Sequence, residues 1–419
     1  MIIGEKALGV PAVGIALPDT PSGRMRAAAR RGGALRRFDW PLTGSAVALA
    51  LIGAVLVWSA TRERSRLTAG DPQYFLKRHL LNLAVGLVLA AIVSALDHKR
   101  LRAMTPVVYV FALLGLLAVL SPLGSTVNGA RSWIELGAGF SIQPAEFAKV
   151  GVVMAVAMAL AARPTVRRSP DLLAPVFDER RSDFVPTTRQ LGMALLWAAL
   201  PMGLIALLPD LGTTMVVVAT IVGMVVVSGV RLRVMALLTV VAAAGVTGIV
   251  KFHLLAAHQV NRFAAFADPN LDPRGVGYNT HQARLAIGSG GIFGQGLFHG
   301  AQTNGQFVPE QQTDFVFTVA GEELGLVGGL LLIGLFGVLL WRACVIARAA
   351  SEPFPMLLAA GVVCWFTFQT FENIGMTLGI MPVAGIPLPF VSYGGSALLA
   401  FFAMVGLVVN VEMRRVRGR

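Results

Sequence analysis

Carboxylates, arginines and glycines are concentrated in one polar stretch, residues 253–312, of an otherwise apolar chain. Its candidate carboxylates are Asp268, Asp272 and Glu310, side chains of the type that can take a proton from a substrate hydroxyl as a general base. Asp272 is followed by a proline, an arginine and two glycines, an order that favours a fixed side chain over a mobile one. We therefore expect the chemistry of this protein to lie in this stretch.

The glycines of the stretch match neither familiar nucleotide-binding pattern. The run from Gly288 to Gly296 breaks Gly-x-Gly-x-x-Gly at Phe293, and no Gly-Lys-Ser/Thr follows. Two roles stay open for Gly290 and Gly291: they let the backbone approach a lipid-borne pyrophosphate, or they form tight turns at the membrane surface. The histidines are not spaced like zinc ligands, so the sequence assigns no metal site.

Ionisable residues also occur within apolar segments, where they are costly unless they have partners. Glu146 and Lys149 are three residues apart on one helix face, and they form either a structural ion pair or a contact that regulates the catalytic loop. Asp210 precedes a run of helix formers and is predicted to cap that helix. Proton or substrate transfer and interhelical hydrogen bonding are the alternatives for the remaining polar residues of the bundle, namely Glu322, Glu323, Glu372, Asn373 and Ser392.

The composition indicates which elements position these residues. With 55% hydrophobic and 14% charged residues, and a mean hydropathy of +0.71, the chain is an integral membrane protein. Its apolar runs are long enough for helices and lack the alternation of barrel strands. We expect an all-α polytopic membrane protein of about ten transmembrane helices, at about residues 40–60, 79–97, 104–120, 144–162, 191–208, 213–230, 232–252, 313–341, 354–378 and 392–412.

The distribution of basic residues predicts the orientation. An even number of spans places both termini on one side, and most of the 35 lysines and arginines lie on that side, which is therefore cytoplasmic. The exception is the first outer loop, which contains Arg62, Arg64 and Lys77. The loop 253–312, between the seventh and eighth spans, is then extracytoplasmic. The net charge of +13 therefore reflects mainly the membrane topology. Contact with anionic lipids is the second explanation, and no nucleic-acid partner is expected.

Three regions follow from this topology. Residues 1–37 are predicted to be a basic, disordered cytoplasmic tail. Residues 38–412 form the ten-helix membrane domain, and residues 413–419 form a second basic cytoplasmic tail.

Several motifs together resemble the SEDS family (shape, elongation, division and sporulation) of RodA and FtsW membrane proteins. The resemblance covers about residues 40–412 and rests on the order of the motifs rather than on any one of them. The chain departs from the usual residues of the family at Gln312 and Gly321, neither of which is an expected catalytic residue. In chain order the motifs are Asn128 to Ile134, Gln143 to Lys149, Asp272 to Tyr278, Gly288 to Gly296, Pro309-Glu310, Thr313 to Phe315, Glu322 to Gly325 and Pro382 to Ser396.

The resemblance implies a multi-pass peptidoglycan glycosyltransferase of the bacterial plasma (inner) membrane. It would join lipid II disaccharides into β-1,4 glycan strands and release undecaprenyl pyrophosphate, and the essential aspartate of the family falls on Asp272. One base suffices, because a single displacement converts the α-linked pyrophosphate into a β bond. The leaving pyrophosphate needs positive charge from a divalent cation, Mg²⁺ or Mn²⁺, or from arginines, for which the candidates are Arg131, Arg262, Arg274 and Arg284.

The resemblance also implies partners. Glu146 and Lys149 match a pair tied to activation by a class B penicillin-binding protein, a transpeptidase. Lipid II, the growing lipid-linked glycan and the elongation machinery are the other expected partners, since the motifs at 373–377 and 385–390 look like RodA. Three alternatives stay open: an FtsW-like division polymerase, a lipid II flippase in which the bundle carboxylates matter more than Asp272, and a non-catalytic scaffold.

Overall fold

A computed structural model describes residues 38–64, 68, 70–127, 130–137, 140–161, 186–208, 210–251, 260, 262–264, 266 and 276–415. The predicted tail 1–37 lies outside the described residues, as do Asp268, Asp272 and Arg274 of the long loop. Residues 39–419 form one compact unit.

Within the described residues, helices α1 to α13 follow one another along the chain. They are α1 Trp40–Thr61, α2 Tyr74–Ala95, α3 His98–Leu120, α4 Pro144–Leu160, α5 Thr188–Leu207, α6 Leu211–Val227, α7 Leu232–Lys251, α8 Val276–Ser289, α9 Ala301–Asn304, α10 Val316–Glu323, α11 Gly325–Ala349, α12 Pro353–Leu378 and α13 Gly395–Met413.

Seven of these helices are long and apolar enough to cross a membrane: α1, α2, α3, α5, α11, α12 and α13. Shorter apolar helices cover Leu211–Val227 and Arg233–Gly245. Nine of the ten predicted spans each overlap one helix and the eighth overlaps two, which confirms the polytopic helical membrane fold. Helices satisfy their backbone hydrogen bonds internally, which the interior of a bilayer requires.

The predicted eighth span, 313–341, is wrong at its start. The chain forms the short helix α10, breaks at Leu324, and begins α11 at Gly325, whose φ is +66°. A Cβ at Gly325 would overlap the backbone of Gly294, so this position requires glycine. Glu322 and Glu323 therefore end a separate helix instead of lying ten residues inside a span.

A three-stranded antiparallel sheet departs from the all-α expectation. Its strands β1 Gly124–Val127, β2 Ala130–Gly137 and β3 Phe140–Ile142 pair in the order β1-β2-β3 between α3 and α4. The connection is long enough for a meander, which satisfies its backbone groups without a helix.

Because successive helices reverse direction, five connections share one end of the bundle, which we call the loop end. They are 62–73, 121–143, 208–210, 252–324 and 379–394. At the opposite end Asp39 caps α1 through Leu42 N, at 2.9 Å, and also accepts from Arg342 Nε at 3.1 Å. The side chains of α12 and α13 are mostly buried, whereas no described side chain of α7 is buried.

Candidate active site at the loop end

The segment 384–388, between α12 and α13, is the centre of the site. Pro387 in the segment and Pro389 just after it cannot donate to a strand partner, so side chains satisfy the carbonyl groups of the segment instead. Arg262 Nη1 donates to Ala384 O at 3.1 Å, and Asn373 Nδ2 donates to Ile386 O at 2.8 Å. Gln369 Nε2 donates to Pro387 O at 2.8 Å. The long loop and α12 thus hold the segment together.

A second segment, 310–315, is fixed against the first. Asn373 Nδ2 also donates to Asp314 O at 2.8 Å. The hydroxyl of Ser392 donates to Thr313 O, and Tyr393 N donates to Gln312 O at 2.8 Å. Asn373 on α12 and Ser392 in the loop before α13 therefore both make hydrogen bonds to loop carbonyl groups.

A carboxyl and a guanidinium group both lie close to Gly385. A Cβ built on Gly385 would lie 3.5 Å from Asp314 Oδ2 and 3.7 Å from Arg262 Nη1. Burial and the charge of Glu310 raise the pKa of Asp314 from its usual 3.8 to about 7, although Arg262 acts in the opposite direction. A carboxyl that exchanges protons near neutral pH thus lies beside a guanidinium group.

The first loop supplies a cation that the sequence reading missed. Arg64 donates to Gln312 Oε1 at 3.1 Å and to Gln311 Oε1 at 3.3 Å. Arg62 Nη2 donates to Phe298 O at 3.0 Å, and Arg62 Cζ lies 4.9 Å from the centroid of the Phe298 ring. These contacts explain why basic residues occur in the first outer loop against the general trend: they bind the long loop.

Glu146 and Lys149 form the predicted ion pair. The Nζ–Oε1 distance is 2.7 Å and both side chains are buried. Lys149 Nζ also donates to Gln369 Oε1 at 3.2 Å and lies 4.8 Å from the centroid of the Trp365 ring. The pair is therefore linked, through Gln369, to the 384–388 segment.

Asp210 is the N-cap of α6, as predicted. Its carboxylate accepts from Thr213 N at 2.9 Å and from Thr213 Oγ1 at 2.8 Å. The next turn is close to the site, because a Cβ on Gly212 would lie 2.5 Å from Ala384 O. Capping thus fixes the end of α6 that packs against the 384–388 segment.

Glu322 and Glu323 organise the long loop. Glu322 accepts from Gln302 N at 2.6 Å, from Thr303 N at 2.9 Å and from Thr303 Oγ1 at 2.7 Å. Glu323 accepts from Ser59 Oγ, on α1, at 2.6 Å. Both carboxylates therefore connect α10 to neighbouring segments through hydrogen bonds.

The glycine run packs backbone against backbone. A Cβ on Gly290 would overlap the carbonyl oxygen of Gly321, and Gln295 N donates to Glu322 O at 2.9 Å. Gly291 has a φ of +56° and faces open space. Tight packing accounts for Gly290, whereas contact with pyrophosphate stays a prediction for both glycines.

Of the other predicted residues, the described side chains of Arg284 and Glu372 make no hydrogen bond to this centre. Arg284 Nε donates to Leu378 O at 3.0 Å, at the C-terminus of α12. Arg131 is on β2, but its side chain is outside the described residues, as is all of Arg274. In the described part of the chain, the fully buried carboxyl of Glu372 has no hydrogen-bond partner. No group of three or more potential metal ligands occurs among the described residues.

Comparison with known proteins identifies relatives along nearly the whole chain. Residues 41–417 match the FtsW/RodA/SpoVE family, described as cell cycle proteins. The chain is 34% identical to peptidoglycan glycosyltransferase MrdB of Escherichia coli, over 88% of this chain and 92% of that protein. It is 35% identical to stage V sporulation protein E of Bacillus subtilis, over 87% and 94% of the two chains.

Two solved structures are also similar. A chain from a structure described as "Structural coordination of polymerization and crosslinking by a peptidoglycan synthase complex" aligns with a TM-score of 0.72 and 32% identity, covering 91% of this chain and 99% of that one. The rod shape determining protein RodA of Thermus thermophilus aligns with a TM-score of 0.62 and 31% identity, covering 91% and 98%.

Proposed function

This chain belongs to the FtsW/RodA/SpoVE family, and on that premise we propose that it is a membrane-embedded peptidoglycan glycosyltransferase. Its substrate is lipid II, whose disaccharide units it joins into β-1,4 glycan strands, and undecaprenyl pyrophosphate leaves. The loop end faces the outside of a bacterial inner membrane, where the growing glycan is released. The substrate class is consistent with the relative MrdB, which is named a peptidoglycan glycosyltransferase.

The observation that carries the proposal is that Arg262 and Asp314 both lie close to Gly385. Arg262 belongs to the loop that contains Asp272, and its guanidinium group is held at the 384–388 segment by Ala384 O. A fixed guanidinium group is suited to a pyrophosphate, because it offers several donors in one plane. The polar loop end above an apolar bundle suits a substrate with a charged sugar head and a prenyl tail.

The reaction we propose is one inverting displacement. Asp272 accepts the proton of the acceptor's 4-hydroxyl while that oxygen forms a bond to the anomeric carbon of the donor. The bond from that carbon to the pyrophosphate oxygen breaks, and its electron pair leaves with the pyrophosphate. Arg262 stabilises the charge that develops there. A divalent cation, Mg²⁺ or Mn²⁺, is the alternative source of positive charge.

The variant Asp272→Ala tests the assignment. Loss of a general base costs typically 10²- to 10⁴-fold, so we expect no detectable glycan from purified, folded protein supplied with lipid II and its partner. Asp268→Ala, which removes a neighbouring carboxylate of the same loop, is the matched control and should retain activity. Glycan synthesis by Asp272→Ala at a rate near that of the wild type would refute the role. Parallel reactions with a chelator test the cation.

Within the family we propose a RodA-type role in cell-wall elongation, with a class B penicillin-binding protein as the partner. The motifs at 373–377 and 385–390 support this choice over an FtsW-type role. One structural neighbour is described as a complex that coordinates polymerization with crosslinking. Complementation of elongation-deficient against division-deficient cells distinguishes the two roles.

A lipid II flippase is the second candidate. The fully buried carboxyl of Glu372, which lacks a hydrogen-bond partner within the described residues, favours it, because such groups are typical of transport paths. Translocation of lipid II in liposomes, under conditions that prevent polymerisation, separates the candidates. Transport that depends on Glu372 and not on Asp272 would favour the flippase.

A further inference from the structure

Gln369 lies between two parts of the molecule that have different tasks. It is on α12, fully buried, one helical turn before Asn373. On one side of it is the Glu146–Lys149 ion pair of α4, and on the other side is the 384–388 segment, to which Arg262 is bonded. Nothing in the sequence motifs singled it out.

The carboxamide of Gln369 uses its two ends differently. Its oxygen accepts from Trp365 Nε1 at 2.6 Å and from Lys149 Nζ at 3.2 Å. Its nitrogen donates to Pro387 O at 2.8 Å. A flipped amide would place NH₂ against the ammonium and indole N–H groups and oxygen against a carbonyl group. The donors of Lys149 and Trp365 therefore fix the orientation that holds Pro387.

The ion pair that supplies one of these donors is incompletely satisfied. Glu146 uses Oε1 for Lys149, while its Oε2 has no hydrogen-bond partner among the described residues. Lys149 divides its three donor protons between Glu146, Gln369 and the face of Trp365. Any change in the position or charge of Lys149 consequently alters the interaction that orients Gln369.

Past Gln369, the contacts lead to the site in short steps. Pro387 follows Ile386, whose carbonyl oxygen accepts from Asn373 Nδ2. The same nitrogen of Asn373 also donates to Asp314 O. Two residues before Ile386, Ala384 O accepts from Arg262. The segment is thus attached at three carbonyl groups, one of which depends on Gln369.

We propose that Gln369 is a positioning residue that transmits the state of the Glu146–Lys149 pair to the 384–388 segment, and so to Arg262 and Asp314. The proposal rests on the proposed function for its effect on activity. The structural half of it, that the pair controls the order of the segment through Gln369, holds whatever reaction the protein catalyses. Coupling of this kind is established by non-additivity, not by proximity.

The experiment is a double-mutant cycle that combines removal of the Glu146–Lys149 pair with removal of the Gln369 amide. The pair-free variant combines Glu146→Leu with Lys149→Met, so no unpaired charge stays buried. Gln369→Met keeps the length of the side chain without its hydrogen bonds. Hydrogen–deuterium exchange of the amides of Leu388 and of residues 390–394, in the full-length protein in detergent, measures the order of the chain at the end of the segment and directly after it without requiring activity.

Each change alone should accelerate exchange of these amides by roughly tenfold, within the range of measured couplings between sites. The two together should give about the same tenfold increase, because both interrupt one connection. A multiplicative increase, near a hundredfold, would overturn the proposal. Exchange of the segment that is unchanged in the pair-free variant would overturn it too.

Polymerisation of lipid II provides the second readout. We expect kcat/KM to fall about tenfold in each single member of the cycle and no further in the combination. Should the wild type make no glycan, the proposed function fails, while the exchange cycle still tests the connection.

Two further variants test whether Gln369 has only a structural role. Gln369→Glu retains the acceptor for Lys149 but places a carboxylate oxygen against Pro387 O, so it should accelerate exchange as Gln369→Met does. Asn410→Leu removes another buried amide, which donates to Ser94 O at 2.9 Å at the opposite end; it should leave exchange of 388–394 unchanged. Misfolding of both Gln369 variants would refute the proposal, because Gln369 would then be needed to hold the bundle together.

Discussion

Two buried glutamates at the loop end, Glu146 in α4 and Glu322 in α10, are held in opposite ways. Glu322 accepts three hydrogen bonds, two from backbone N–H groups at the start of α9 and one from a hydroxyl. Glu146 has one ionic partner, a side chain on its own helix, and among the described residues its second oxygen has none.

The difference separates a fixed region from an adjustable one. Backbone N–H groups keep their positions when side chains change, unless proline is introduced, so the donors that hold Glu322 are fixed by the course of the chain. The partner of Glu146 is a flexible ammonium group with several acceptors within reach. The long loop is therefore anchored by Glu322, and variation is possible at the Glu146–Lys149 pair.

The largest effect should follow removal of Glu322. Glu322→Leu leaves two buried N–H groups and one hydroxyl without an acceptor, which costs roughly 4 kcal/mol or more of folding stability. We expect a large decrease in the unfolding temperature of the purified protein, measured by its intrinsic fluorescence. The exposed Glu352 is the control, and Glu352→Leu should change stability by no more than about 0.5 kcal/mol. Equal unfolding temperatures for Glu322→Leu and wild type would contradict the conclusion that Glu322 anchors the long loop.

A smaller loss, which a second substitution reverses, should follow removal of one ion. Lys149→Met leaves the Glu146 carboxylate buried and unpaired, at a cost of about 3–5 kcal/mol. Addition of Glu146→Leu should recover stability to within about 1 kcal/mol of wild type, because an apolar pair of similar volume replaces the ions. The same unfolding measurement checks both variants. If the double variant were no more stable than Lys149→Met, the pair would be as fixed as Glu322.

The narrowest effect, confined to one range of pH, concerns Asp314, whose backbone carbonyl accepts from Asn373 and which precedes α10 by two residues. Its pKa of about 7, against 3.8 ordinarily, means that the folded protein binds its proton more tightly than the unfolded chain. Its contribution to stability is therefore present at low pH and is lost as the pH rises from about 4 to about 7. Asp314→Asn should flatten this part of the dependence of unfolding temperature on pH, and identical slopes would contradict the assignment.

The sequence predicted what depends on local pattern. Hydropathy located the helices, the position of Asp210 before a helical run predicted a cap, and the three-residue spacing of Glu146 and Lys149 predicted their pairing. These features involve residues within one or two turns of each other, so spacing alone determines whether they can meet.

The missed features depend on contacts between distant segments. Arg64 binds Gln312, which lies 248 positions later, and Gln369 binds Lys149, which lies 220 positions earlier. No local pattern carries that information. The break at Gly325 was missed for the same reason, since α10 and α11 read as one apolar run until the backbone of the glycine loop is placed against them.

The contacts of α1 have a consequence for biosynthesis. Ser59 finds its acceptor Glu323 264 residues downstream, and Asp39 finds Arg342 303 residues downstream. Translation at about 5–20 residues per second separates Asp39 from its partner by roughly 15–60 s. During that interval the first helix is in the membrane without these two distant partners, and Asp39 has only the local bond from Leu42 N. A chain truncated before α11 therefore lacks the guanidinium group that pairs with Asp39 in the full-length protein.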